Sequence, residues 1–306
     1  MTKTVISGIL LLDKSQGISS HSALAKAKFL YKSDSQDSKK AGHTGTLDPM
    51  ATGLLPLVFG EATKFAQYGL DADKGYTAII QLGVATDSGD ADGQMIDTKA
   101  VPSFDQAMLD AIADNMTGVQ SQIPPMYSAL KKDGKKLYEY ARDGIEIERA
   151  PRAITIHILR LTKISDDTIE LDVTCSKGTY VRVLGEDIAK QLGTVGHLTR
   201  LHRTMTGGFG IDDAITTDML ETLPMSERLG RLLPIDAMLI HLPTLAVSDD
   251  EASRLKLGQR LNVKDRVAAL PVFDESCLVR LYHQADFIGL GEVAVTGRLQ
   301  PKKLVA

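Results

Sequence analysis

The chain has 306 residues, 43% hydrophobic and 24% charged, which is enough apolar side chain for one large domain plus a smaller one. A formal net charge of -4 excludes a uniformly basic nucleic-acid binder, so any such role must rest on local cationic patches. No apolar run approaches the ~20 residues of a membrane span, the first residues lack a signal-peptide layout, and Cys175 and Cys277 form no paired motif. These features point to the cytoplasm and argue against a disulfide framework or a thiolate metal site.

Residues 6–12 read as a buried strand that ends in the polar loop Asp13-Lys14-Ser15-Gln16-Gly17. Ser19 or Ser20 caps a following helix, with Ala23, Ala27 and Leu30 on one stripe. Residues 32–40 contain no apolar side chain and predict a solvated, mobile loop. The chain then enters Ala41-Gly42-His43-Thr44-Gly45-Thr46-Leu47-Asp48-Pro49-Met50-Ala51-Thr52-Gly53. Its glycines free the backbone and Pro49 biases Asp48 toward an extended conformation, so a loop is expected. Asp48 is the one carboxylate in it, directly before the apolar run 54–59. Two readings stand at this point: a nucleophile or acid–base group on a constrained loop, or a turn cap before Pro49.

Residues 60–65 lead into a short helix and residues 75–83 read as a strand. The acidic loop 86–93 fails as a calcium site, because the alignment that uses Asp90, Asp92 and Gly93 puts Lys99 where a bidentate Glu belongs. Asp90 is left as a second carboxylate able to steer an arginine. Ser103 and Gln106 form a capping-box pattern before a helix with Leu109, Ile112 and Met116 on one face. Residues 122–142 interleave Lys131, Lys132, Lys135, Lys136 and Arg142 with Tyr127, Tyr138 and Tyr140, a composition suited equally to RNA contact and to a solvated helix face.

Alternating runs at 154–158 and 169–175 predict a hairpin with one buried face. It delivers Ser176-Lys177-Gly178-Thr179-Tyr180-Val181-Arg182 to a helix striped by Leu184, Ile188 and Leu192. That turn lacks both nucleotide-loop signatures. Tyr180 and Arg182 are expected near a loop mouth, where Arg182 is either a surface charge or the partner that keeps a buried carboxylate ionised. Residues 196–203 are strand-like and basic, helices follow near 217–223 and 226–232, and residues 234–243 mark a domain edge. Ser248 and Glu251 box a short helix, and β-runs at 277–282 and 287–295 with the basic tail Arg298, Lys302 and Lys303 suggest a small all-β module that needs docking for stability.

Taken in order, these motifs resemble the TruB family of tRNA pseudouridine-55 synthases over nearly the whole chain. The likeness rests on Gly8-Ile9-Leu10-Leu11-Leu12-Asp13-Lys14 with Gly17-Ile18-Ser19-Ser20, on Gly42 to Pro49 with Ala51-Thr52-Gly53, and on Gly60-Glu61-Ala62-Thr63-Lys64. It continues through Thr86-Asp87 with Asp90, Pro125-Met126-Tyr127-Ser128-Ala129-Leu130, and Cys175 to Arg182. The resemblance implies that Asp48 is the catalytic aspartate and His43 the histidine that fills the space left by the extruded nucleotide. It implies that Tyr76 stacks on the target base, that Tyr180 and Leu201 line the uridine pocket, that Arg182 pairs with Asp48, and that Asp90 completes the ion-pair network.

The implied fold is α+β, a mixed and largely antiparallel bent sheet flanked by helices, with a catalytic domain at 1–243 and a small C-terminal all-β PUA-like module at 244–306. The implied activity is an isomerase reaction on the T-arm of tRNA, in which the uracil detaches, turns and rejoins the same ribose through carbon. It requires no cofactor and no metal, and the implied protein is a cytoplasmic monomer without an obligate protein partner. Tyr76 is a candidate for the later proton transfer, although an unperturbed phenol is a poor base near neutral pH. The competing readings are an RNA chaperone that refolds the T-arm without chemistry and a carboxylate-dependent nucleosidase.

Overall fold

In the computed structural model, which describes residues 3–305, the first apolar run becomes strand β1 (Gly8–Lys14) and is followed by helix α1 (Ser20–Leu30). Ser19 caps α1 by accepting from Ser22 N at 3.0 Å. The Gly-rich stretch contributes β2 (Ala41–His43), then a tight loop, then β3 (Thr52–Phe59). Helix α2 (Ala66–Asp71), strand β4 (Lys74–Leu82), helix α3 (Gln106–Met116) and strand β5 (Gly118–Gln122) come next. After helix α4 (Leu137–Arg142), the expected hairpin forms as β6 (Arg152–Lys163) and β7 (Thr168–Cys175), which delivers α5 (Val181–Gln191). Strands β8 (Gly196–Thr206), β9 (Phe209–Gly210) and β10 (Ile215–Thr216) and the short helices α6 (Thr217–Thr222) and α7 (Met225–Gly230) complete the larger unit.

These strands build a ten-stranded sheet in the order β10-β1-β3-β8-β4-β7-β6-β5, with β2 beside β3 and β9 beside β8. It is antiparallel except at β10–β1 and β3–β8. Strands β1 and β3 are continuous apolar runs because they are covered on both faces. Leu10, Leu12, Leu55 and Leu57 meet α1, α3 and α5 in one core, while Ile9, Leu11, Leu54 and Val58 pack in a second core on the opposite side. Pro56 is tolerated in so central a strand because β8 pairs only with Thr52 and Gly53 and β2 pairs only from Leu57 onward. Two irregularities in the β8–β4 register, at Leu198/Arg200 and Arg203/Met205, bend the sheet where the site lies.

A second sheet of five strands runs in the order β11 (Thr244–Val247), β13 (Ser276–His283), β14 (Asp286–Ala294), β15 (Arg298–Leu304) and β12 (Leu261–Asn262). It has its own apolar core and also carries helix α8 (Asp249–Lys256), so the unit is not purely β. The Ser248–Glu251 capping box forms as the spacing predicts. Docking onto the larger unit is tight: Phe65, Leu239 and Leu290 form a shared core, and buried Asp236 accepts from Arg280 Nη1 at 3.0 Å and from the Tyr282 phenol.

Local expectations differ from the structure in two places. Residues 32–40 are not simply solvated: Gln36–Asp37 pairs in parallel with Thr4–Val5, and buried Ser38 donates to Lys28 O at 2.6 Å. Helix α3 is capped two residues later than the Ser103 capping box predicts, with Asp105 accepting from Met108 N at 2.9 Å. Buried Phe104 fixes that entry, and Gln106 turns to Asp110 and to Leu161 O.

Candidate active site

Asp48 stands on a loop that is short, Gly-rich and fixed at both ends. Buried Leu47, Met50 and Ala51 hold it to the core, and Ser20 clamps it by accepting from Leu47 N at 2.7 Å and donating to Leu47 O at 2.9 Å. Gly17 N donates to Pro49 O at 2.8 Å, and Ala51 N closes the turn on the Asp48 carbonyl at 3.1 Å. The backbone makes the turn, so the carboxylate is not its cap. Gly53 is required where β3 meets β8: its φ is +100°, and a Cβ there would sit 2.4 Å from Arg203 O.

The carboxylate opens into a cavity of about 340 Å³ whose walls include Tyr76, Tyr180, Val181, Arg182 and Leu201. Strand register explains the assembly. Tyr76 on β4 lies opposite Arg203 on β8, and Ala78 lies opposite Leu201. With a side-chain period of two, Lys74 and Tyr76 on one strand and Leu201 and Arg203 on the other share one face. Tyr180 precedes α5 and is fixed through its backbone, its N–H donating to Gln122 Oε1 at 2.8 Å while Gln122 Nε2 donates to its carbonyl at 3.1 Å. That clamp positions Arg182 in the first helical turn.

Arg182 is at the helix start, as expected, but it is neither exposed nor peripheral, with 4% of its surface accessible. Its Nη2 lies 3.0 Å from Asp48 Oδ2 and its Nε 3.5 Å from Asp90 Oδ2. Nη1 donates to Ser88 O at 2.5 Å and Nη2 to Tyr127 O at 2.6 Å. Asp90 is itself held, its Oδ1 accepting from Ser88 Oγ at 2.5 Å and from Asp92 N at 3.1 Å. The structure therefore gathers Asp48, Asp90, Arg182, Tyr76, Tyr180 and Leu201. His43 does not line this cavity. It lies upstream on β2, and its Nδ1 is buried without a partner among the described residues.

Burial governs the titration of the site. Although the Asp48 side chain is 39% exposed to the cavity, desolvation pushes its carboxyl above the usual range; Arg182 opposes this and Asp90 adds to it. Arg182 thus limits the rise and favours the ionised carboxylate, without cancelling the effect of burial. Burial also raises the Tyr76 and Tyr180 phenols and lowers the His43 imidazole, the last helped by Arg203.

Two buried cations, Arg203 and Lys74, lie outside the motifs, and a third, Lys14, lies in the first of them without an assigned role. Arg203, 1% exposed, donates from Nε to Leu54 O at 2.6 Å and from Nη2 to Gly45 O at 3.1 Å. Lys74 donates to the carbonyls of Gly69, Leu70 and Ala72 behind α2, and burial pushes it down to about 8. Lys14 reaches the carbonyls of Ser15, Ile18 and Pro49 beneath the loop and is likewise pushed down to about 8 by burial, with Asp48 opposing. The available signal was alternation: Leu201 and Arg203 are two residues apart on a strand, and so are Lys74 and Tyr76.

The lysine-rich segment leads away from the cavity as a hairpin of Lys131–Lys132 and Lys135–Lys136, turning at Asp133 and Gly134 with positive φ. Its tyrosines hold cations: Lys135 lies over the Tyr140 ring at 4.7 Å, and Lys136 and Arg142 lie over Tyr138 at 5.3 and 5.2 Å. Among the described residues no helix is long and apolar enough to cross a membrane.

Two family models match the chain: TruB family pseudouridylate synthase (N terminal domain) over residues 33–181, and Pseudouridine synthase II TruB, C-terminal, over residues 243–305. A relative named tRNA pseudouridine synthase B from Psychrobacter cryohalolentis is 49% identical, with 99% of this chain and 95% of the relative covered. One of the same name from Burkholderia mallei is 48% identical over 100% of this chain and 99% of its own. Among solved structures, a chain of a Cbf5-Nop10-Gar1 complex superposes with a TM-score of 0.70 at 22% identity, over 97% of this chain and 84% of that one. A chain of the archaeal box H/ACA sRNP Nop10-Cbf5 complex gives 0.70 at 20% identity, over 97% and 85%. The fold is thus that of the pseudouridine synthases, and with relatives 48–49% identical over 99% or more of its length, the chain belongs to the TruB family of pseudouridylate synthases.

Proposed function

We propose that this protein isomerises a uridine in the T-arm of tRNA to pseudouridine, with Asp48 as the catalytic residue. The observation that carries this reading is the Asp48–Arg182 pair at 3.0 Å, set in a cavity roofed by Tyr76, Tyr180 and Leu201. At about 340 Å³ the cavity is large enough to take a single nucleoside. A uridine stacked in a folded loop must be flipped out, at a cost of about a few kcal/mol. Tyr76 offsets part of this by stacking on the base. His43, outside the cavity and held neutral by burial, fills the gap left in the RNA.

Ionised Asp48 then acts as nucleophile toward ribose or base, or stabilises cationic character at the sugar. The bond broken and the bond formed leave the redox state unchanged, so the reaction requires neither a redox cofactor nor a group donor. Tyr76, with its phenol raised by burial, is ionised to a still smaller fraction near neutral pH than a free tyrosine, which counts against it as acceptor of the C5 proton. We assign residues 1–243 to the catalytic unit and 244–306 to a PUA-like module, working as a cytoplasmic monomer on tRNA.

The direct test is incubation with unmodified tRNA followed by mapping of pseudouridine. A new pseudouridine in the T-loop at unchanged RNA mass supports the reading. Released uracil would indicate a nucleosidase, and refolding of the RNA without product would indicate a chaperone. Replacing Lys131, Lys132, Lys135 and Lys136 together by Gln is expected to weaken RNA binding and flatten its dependence on salt, because fewer counterions are released. If the salt slope is unaltered, the hairpin does not meet phosphates.

A further inference from the structure

Ser128 belongs to the segment that closes one wall of the Asp48 cavity, and 4% of its surface is accessible. Its Oγ makes no hydrogen bond of good geometry among the described residues, although the Tyr180 phenol is near enough for Ser128 to oppose the rise that burial gives it. Native proteins pair nearly all such groups, so a buried hydroxyl left open at a site calls for an explanation. The residue is not slack. Ser128 N donates to Met126 O at 2.8 Å, Tyr138 N donates to Ser128 O at 3.1 Å, and Arg182 holds the preceding carbonyl, Tyr127 O, at 2.6 Å. One guanidinium therefore positions both the Asp48 carboxylate and the peptide that presents this hydroxyl.

Several other polar groups of the cavity already have partners. Arg203 and Lys74 donate to backbone carbonyls, Ser176 Oγ accepts from Thr155 N at 2.8 Å, and Thr179 Oγ1 donates to Ser176 O at 2.9 Å. Among the described residues that line this cavity, Ser128 is the one whose buried side chain is left with a free hydrogen-bonding group. Resting on the pseudouridine-synthase reading, we infer that Ser128 is a base-contacting residue, whose hydroxyl donates to one of the two carbonyl oxygens of the flipped uracil. The missing partner is then supplied by the substrate, and the orphan hydroxyl is the cost of a site built before its ligand arrives.

The test compares Ser128→Ala with the unsubstituted chain on synthetic T-arm stem-loops that carry uridine, 2-thiouridine or 4-thiouridine at the target. Loss of one neutral hydrogen bond should lower kcat/KM on uridine about tenfold. Sulfur is the poorer acceptor, so the unsubstituted chain should convert one thio-analogue more slowly than uridine, and Ser128→Ala should erase that gap. Because the substitution removes an unpaired buried hydroxyl, the thermal midpoint should hold or rise while activity falls. Unchanged kcat/KM, or a lowered midpoint with the thio-gap intact, would overturn the inference in favour of a structural role. Absence of pseudouridine with the unsubstituted chain strikes the functional reading itself and takes this inference with it.

Discussion

Asp48→Asn will abolish pseudouridine formation and change RNA affinity by less than about tenfold, since an amide of equal size removes the charge with little change in packing. The loop beneath it depends on Leu47, Met50, Ser20 and Lys14, none of which uses the carboxylate as a hydrogen-bond partner. The stability effect has a definite sign. Burial raises the folded pKa of Asp48 above its ordinary 3.8, so the folded state holds this proton more tightly than the unfolded chain. Stability is lost as pH climbs from the unfolded value through the folded one, and the cost persists at neutral pH. Asn removes that cost, so the denaturation midpoint at neutral pH should hold or rise while turnover disappears. For the unsubstituted enzyme, kcat should fall toward acid with an apparent pKa above the usual carboxylate range. Normal turnover by Asp48→Asn, measured by single-turnover product mapping, would end the assignment.

Arg182→Lys should lower kcat by about a hundredfold or more, because a lysine cannot reproduce a planar fork that serves four partners at once. The guanidinium meets Asp48 at 3.0 Å, Asp90 at 3.5 Å, Ser88 O at 2.5 Å and Tyr127 O at 2.6 Å. A single ammonium can satisfy one or two of these. Since lysine keeps the charge, the acid limb of the pH profile should stay close to its original position. Arg182→Met removes the group that lowers Asp48, so there the acid limb should move to higher pH. That variant also leaves Asp90 buried without its cation, a loss of about 3–5 kcal/mol, so its fold must be checked by circular dichroism first. Unchanged kinetics for Arg182→Lys would remove this residue from the site.

What the amino-acid order determined by itself is local in origin. Alternation in residues 169–175, the stripe of Leu184 and Ile188, and the Ser248–Glu251 box each depend on neighbours within a turn or a strand, and each element forms where that pattern lies. The motif series likewise pointed to Asp48, Arg182, Tyr76, Tyr180 and Leu201, which line one cavity, and to Asp90, which is buried against Arg182. Tertiary structure decided whatever depends on long-range packing. Asp105 displaced Ser103 as a helix cap because Phe104 is buried, and Gln36–Asp37 became strand because Thr4–Val5 lies alongside to pair with it. Arg203 and Lys74 entered the site because β8 and β4 pair in a register that turns both to the same face. Desolvation raises Asp48 even beside an arginine, a balance set by atoms far apart in the chain that no spacing of residues encodes.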